Sequence, residues 1–289
     1  LVASTGVIGV QLNTDKLRAG IDVAAGQLSK EGHRSAAEAI MTTDLEPKEF
    51  GIEVTTAQGN FRVGGMAKGA GMIEPNMATM LAFLTTDARI ESAKLNQALR
   101  DSAADTFNAI TVDGECSTND SVFALASGQS TVVIDDDSYP IFVEAFRTVS
   151  RQLALDIVRG GEGATKIVSI TAAGARTEDD ARRVARVLAN SLLVKTALHG
   201  CDPNWGRLVA AAGRSGVAFD LNQAVVRIGD TVLFEKGQPY DERASVAATY
   251  LQQNQVELTI HMGAGNHNAT VWTCDLSADY VRINSEYRT

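Results

Sequence analysis

The stretch EPNMATMLAFLTTDA, residues 74–88, holds an apolar run, Met77 to Leu84, interrupted by one hydroxyl, Thr79, which directly follows the small residue Ala78. Taken as packing, the run is a buried β-strand, where a β-branched threonine fits well. Taken as chemistry, Thr79 is a candidate nucleophile and the Ala78–Thr79 peptide a candidate cleavage point. Composition leaves both open, so the fold is read from what surrounds the run.

Upstream, FGIEVTTAQGNFRVGG at 50–65 predicts two strands joined at AQGN. Downstream, strand-like runs occupy 130–135, 166–174, 224–234, 256–263 and 269–277, and IGDT within 224–234 reads as another hairpin turn. Helices are expected over 15–29, with Leu17, Ile21, Ala24, Ala25 and Leu28 on one face, and over 92–107. A further helix over 177–198 has a capping-box signal at Thr177 and Asp180 and a stop at Gly200. A short helix is expected from Pro203 with Asp202 as its cap, and another over 241–254. Hairpins joined to long helices, without regular strand–helix–strand alternation, predict a single α+β unit with antiparallel pairing.

The 289 residues, 45% of them hydrophobic, suffice for a large core. A net charge of −9 argues against nucleic acid or an anionic membrane as partner. No apolar run approaches the ~20 residues of a membrane span. Cys116, Cys201 and Cys274 are odd in number and far apart, which fits reduced thiols and a cytoplasmic setting. The chain opens LVASTGVIG, without methionine or a charged leader, so residues are expected to precede Leu1.

A threonine hydroxyl needs a neighbouring base to attack a carbonyl. A threonine that starts its chain carries one, its own α-amino group, with an unperturbed pKa of roughly 7.7–8.0. Reaching that state requires self-cleavage: the hydroxyl attacks the preceding carbonyl, the acyl group moves from nitrogen to oxygen, and water opens the ester. Ala78 supplies a small residue before the cut, Pro75–Asn76 a bend, and the glycines of KGAG at 68–71 closely placed N–H groups.

KGAGMIEPNMATMLAFLTTDA at 68–88 resembles the signature of the ornithine acetyltransferase family, the bifunctional glutamate N-acetyltransferases of arginine biosynthesis. The likeness continues through VASTGVIG at 2–9, AIMTTD at 39–44, TFNAITVDGECSTND at 106–120, GGEGATK at 160–166, HGCDPNWGR at 199–207 and CDLSADYVRINSEYRT at 274–289. These motifs keep the family's order and span the sequence. The family has a substantial segment before VASTGVIG, which this sequence lacks.

The resemblance implies two β-sheets layered between helices, similar to N-terminal-nucleophile hydrolases. It implies cleavage between Ala78 and Thr79, giving an α chain within 1–78 and a β chain over 79–289, paired and assembled into a heterotetramer. Thr79 would accept acetyl from N-acetylornithine and pass it to glutamate. Whether acetyl-CoA also donates stays open. Thr5 and Gly6 match the oxyanion-hole pair. Thr42, Lys68, Glu162, Asn284 and Thr289 match substrate contacts, with Lys68 meeting a carboxylate and Glu162 an amino group. No organic cofactor is expected, and no metal, because His33, His199, His261 and His267 lack ligand spacing. Asp113, Asn119 and Asp120 lack the spacing of a calcium loop. An amidase or aminopeptidase on a related scaffold, or an inert fragment with Thr79 as a mere strand residue, are the alternatives.

Overall fold

A computed structural model describes residues 2–74 and 80–286. The first helices, α1 (Thr14–Gly26) and α2 (His33–Ala39), precede the first sheet. There β1 (Lys48–Thr56) and β2 (Gly59–Lys68) form the expected hairpin, with Thr56 opposite Gly59. Gly59 sits at φ +125°, a backbone region open to glycine and costly for other residues. Next to β2 runs β3 (Leu81–Thr86), antiparallel, with Lys68 opposite Leu81. The described part of the opening stretch is therefore a strand. A fourth strand, β4 (Ser121–Ala126), pairs with β3 in parallel, Leu81 beside Ser121, and the sheet order is β1-β2-β3-β4.

Alternation along β2 turns Phe61, Val63 and Ala67 to one side. There they share a core with Phe142, Phe146, Val149, Leu153 and Ile157 of α4 (Tyr139–Arg159). That spacing of three and four is a helical stripe, introduced by Pro140 in the first turn, and it escaped the strand-centred sequence reading. Helix α3 (Ser92–Ala104) packs on α4, and α4 lies against β1 and β2.

The second sheet contains β5 (Ile167–Ala175), β6 (Val225–Ile228), β7 (Thr231–Glu235), β8 (Gln238–Pro239), β9 (Gln255–His261) and β10 (His267–Cys274), in the order β10-β5-β9-β6-β7-β8. Helix α5 (Glu178–Ala189) packs on β5 and β10, with α6 (Leu192–His199) and α7 (Trp205–Gly213) beside it. The last helices are α8 (Ala244–Tyr250) and α9 (Ala278–Glu286). No helix among the described residues is long and apolar enough to cross a membrane.

Several local expectations need correction. Each sheet holds one parallel pair, β3–β4 and β5–β9, among antiparallel ones. The helix expected over 177–198 breaks between α5 and α6, where the Asn190 side chain is drawn to Glu74 and Thr111. Residues 130–135 form only a bridge between Arg89 and Val133, not a strand. Helix α7 is capped by Asn204, which accepts from the Arg207 N–H at 3.1 Å, rather than by Asp202. The region 241–254 shortens to a 3₁₀ turn, Asp241–Arg243, and α8. Helix α1 stops at Gly26 and buries none of its residues, so its apolar spacing marks a face but not a covering.

Candidate active site

Lys68 ends β2 and is only 2% exposed. Its Nζ donates to Thr42 Oγ1 at 3.1 Å and Thr5 Oγ1 at 3.4 Å. Burial lowers its pKa; Asp44 and Asp120 pull it back up, Lys48 opposes them, and the net direction is down. Behind it, buried Asp44 pairs with Lys48, the first residue of β1. The same carboxylate accepts from the Gly69 N–H at 2.7 Å and the Thr42 N–H at 3.1 Å. Burial alone would raise Asp44, but Lys48 and these donors outweigh it and hold the carboxyl below its usual range. Thus one aspartate ties the turn carrying Thr42 to the end of β2.

Glu162 supplies the opposite charge. Its Oε1 accepts from Thr43 Oγ1 at 2.8 Å and its Oε2 from Asn284 Nδ2 at 2.8 Å. Neighbouring hydroxyls therefore diverge, Thr42 toward the lysine and Thr43 toward the glutamate. The glutamate's own N–H donates to Ala70 O at 2.9 Å. This approach needs Gly71, because a Cβ there would lie 2.4 Å from Glu162 Oε2. The next glycine, Gly163, has φ +69°, and a Cβ on it would come within 2.5 Å of the Tyr280 nitrogen in α9. Gly163 of GGEGATK thus lets the C-terminal helix reach the site.

One cavity of about 70 Å³ is lined by Thr5, Gly6, Thr42, Lys68, Glu162 and Asn284. These six sequence-proposed residues come from five separate stretches of chain and meet at one place. A larger hollow over the open face of the first sheet, beside Arg62, Thr85 and Leu125, contains none of them. Ala78, Thr79 and Thr289 lie outside the described residues.

The chain entering that region is tightly held. Asp113 accepts from the Met72 N–H at 2.6 Å and the Ile73 N–H at 2.9 Å, and the Tyr280 hydroxyl donates to it at 3.2 Å. Burial and the facing Asp113 charge push the Tyr280 phenol well above its usual pKa. Met72 adopts φ 58°, left-handed without being glycine. Glu74 accepts from Thr111 Oγ1 at 3.0 Å and is also paired with the Asn190 amide. Of these, sequence reading weighed Asp113 only as a calcium ligand and passed over Asp44 and Glu74. Asp44 carried no local signal, because the turn rule has an aspartate accept the N–H two residues after it, and here it accepts that of Thr42, two residues before.

Comparison with known proteins bears on this constellation. The ArgJ family model matches residues 1–289. Arginine biosynthesis bifunctional protein ArgJ of Symbiobacterium thermophilum is 47% identical over 291 residues, covering all of this chain and 72% of that protein. Its namesake from a Synechococcus strain is 48% identical, again over all of this chain and 72% of the relative. A crystal structure of arginine biosynthesis bifunctional protein ArgJ from Bacillus halodurans, at 2.00 Å resolution, is 38% identical with a TM-score of 0.68. It covers 71% of this chain and 98% of its own. Two layered sheets with helices are therefore shared with a solved relative. The chain belongs to the ArgJ family, as an enzyme of that family.

Proposed function

We propose that this protein serves arginine biosynthesis by moving an acetyl group from N2-acetylornithine to glutamate through an ester on Thr79, after cleavage between Ala78 and Thr79. The observation that carries the reading is that buried Lys68, eleven residues before Thr79 in the sequence, and buried Glu162 line one small cavity. Donor and acceptor substrates share an α-carboxylate, which Lys68 meets, and an α-nitrogen whose hydrogen Glu162 accepts. In binding, they displace the hydrogen bonds that Thr42 and Asn284 now make with these two groups.

In the first half-reaction the Thr79 Oγ attacks the acetyl carbonyl, its proton passing to the α-amino group of the same residue. The developing oxyanion is met by Thr5 and Gly6. The donor's carbon–nitrogen bond breaks, and the stored proton leaves on the ornithine nitrogen. Glutamate then attacks the ester, its proton returns by the same amine to Oγ, and N-acetylglutamate departs.

The test is intact mass and a denaturing gel of the full-length protein, followed by product analysis with N-acetylornithine. Two chains separated at 78–79, one uncut band for Thr79→Ala, and N-acetylglutamate formed only when glutamate is present are expected. Free acetate as main product, indifferent to glutamate, makes the protein an amidase instead. A single uncut band from active wild type removes the amine as base.

A further inference from the structure

Helix α9 reaches the cavity without being sunk into a core, since none of its residues is buried. Polar contacts place it instead. Just before it, Ser277 Oγ donates to Gly163 O at 2.6 Å. Three residues on, the Tyr280 hydroxyl donates to Asp113 Oδ2 at 3.2 Å, and a further turn on Asn284 Nδ2 donates to Glu162 Oε2 at 2.8 Å. Tyr280 and Asn284 are four residues apart and so share a face of the helix. Asp113 is committed on its other side as well. Its Oδ1 accepts from the Ile73 and Glu115 N–H groups, and its Oδ2 from that of Met72. One carboxylate therefore joins α9 to residues 71–73, the wall against which the Glu162 side chain lies. Burial and the facing Asp113 charge raise the Tyr280 phenol, so it keeps its proton and remains a donor.

Substrate displaces Asn284 from Glu162 in the function proposed above, and the inference rests on that reading. With that bond gone, the hydrogen bonds left to tie α9 down among the described residues are those of Ser277 and Tyr280, and of these only Tyr280 lies within the helix. We infer that Tyr280 is a positioning residue: pinned to Asp113, it keeps Asn284 beside Glu162 so that the two side chains together receive a free α-amine. A free amine offers at least two hydrogens, an acetylated nitrogen only one. Glu162 takes one from either substrate. Asn284, its amide turned to present Oδ1, takes the second from glutamate and finds none on the α-nitrogen of N-acetylornithine. With both hydrogens held, the lone pair of the attacking glutamate nitrogen has a fixed direction. Helix α9 thus serves the acceptor's half-reaction more than the donor's.

The test is a double-mutant cycle in the full chain, Tyr280→Phe, Asn284→Ala and the two together, with kcat/KM measured separately for N-acetylornithine and for glutamate. Wild type must form N-acetylglutamate from the pair; if it does not, the acetyl-transfer reading falls and this inference with it. Tyr280→Phe keeps the ring and is expected to melt close to wild type. Its kcat/KM for glutamate should fall about tenfold, the loss of one hydrogen bond to substrate, and that for N-acetylornithine less than about threefold. Asn284→Ala should show the same asymmetry. Adding Tyr280→Phe to it should cost less than about twofold more, because Tyr280 acts through Asn284. Three results overturn the assignment while leaving acetyl transfer intact. They are wild-type constants in Tyr280→Phe, equal losses for both substrates, and a double variant whose loss is the product of the two single losses.

Discussion

Gly71 has no side chain because the carboxylate of Glu162 occupies the place where one would begin. Alanine there must push the carboxylate away from Thr43 and Asn284, and losing one charged hydrogen bond to substrate is worth about 1.5–3 kcal/mol. Gly71→Ala is therefore expected to raise KM for N-acetylornithine and glutamate by about tenfold to a hundredfold. Overpacking should cost about 1–3 kcal/mol of stability, read from a melting curve. An unchanged KM would remove Glu162 from substrate binding. At this scale the sequence spoke unevenly. Lys68, Glu162 and Asn284 were legible because whole motifs surround them. The bond between Thr43 and Glu162 was not, since it spans 119 residues and no spacing rule reaches so far.

Among the elements, the turn between α2 and β1 depends on one buried ion pair. Asp44 has no exposed side-chain surface and Lys48 has 5%. Asp44→Asn leaves the lysine buried without its charge partner, at a cost of about 3–5 kcal/mol. The pH dependence follows from the depressed carboxyl. Its contribution to stability is complete above the unfolded pKa of about 3.9 and fades as pH falls through the lower folded value. Wild type should lose melting temperature below about pH 4 more steeply than Asp44→Asn; parallel curves would contradict the pairing. Elements with local signals were legible, such as the β1–β2 hairpin and the Thr177 cap of α5, whose Oγ1 accepts from the Asp180 N–H at 3.1 Å. The break between α5 and α6 was not, because it follows from Asn190 bonding to Glu74 across the fold.

For the whole molecule, the proposed cut falls between paired neighbours. Strands β1 and β2 lie upstream of it and β3 and β4 downstream, all in one sheet. Phe61, Val63 and Ile73 sit in the core formed with Phe142, Phe146 and Leu153 of the other piece. The shorter piece has no closed core of its own, whereas the longer one contains the whole cluster between α5 and the second sheet and shares only the other. Under native conditions chains 1–78 and 79–289 should co-elute on gel filtration and melt in a single transition, separating only in denaturant. Release of the shorter piece without unfolding would contradict this architecture. The sequence conveyed the α+β class through its hairpins and long helices, yet not the parallel pairs, since strand direction depends on long-range topology that local pattern does not encode.

The β2–β3 pairing also bears on how such a protein can be encoded. Made from two genes, each piece would leave the ribosome with a bare sheet edge, and bare edges invite pairing with the wrong chain. Translation as one reading frame keeps the strands at high mutual concentration until the ladder has closed. The proposed scission would leave the hydrogen-bonded seam in place, so a genetically split version should demand co-translation or a chaperone where the single gene needs neither.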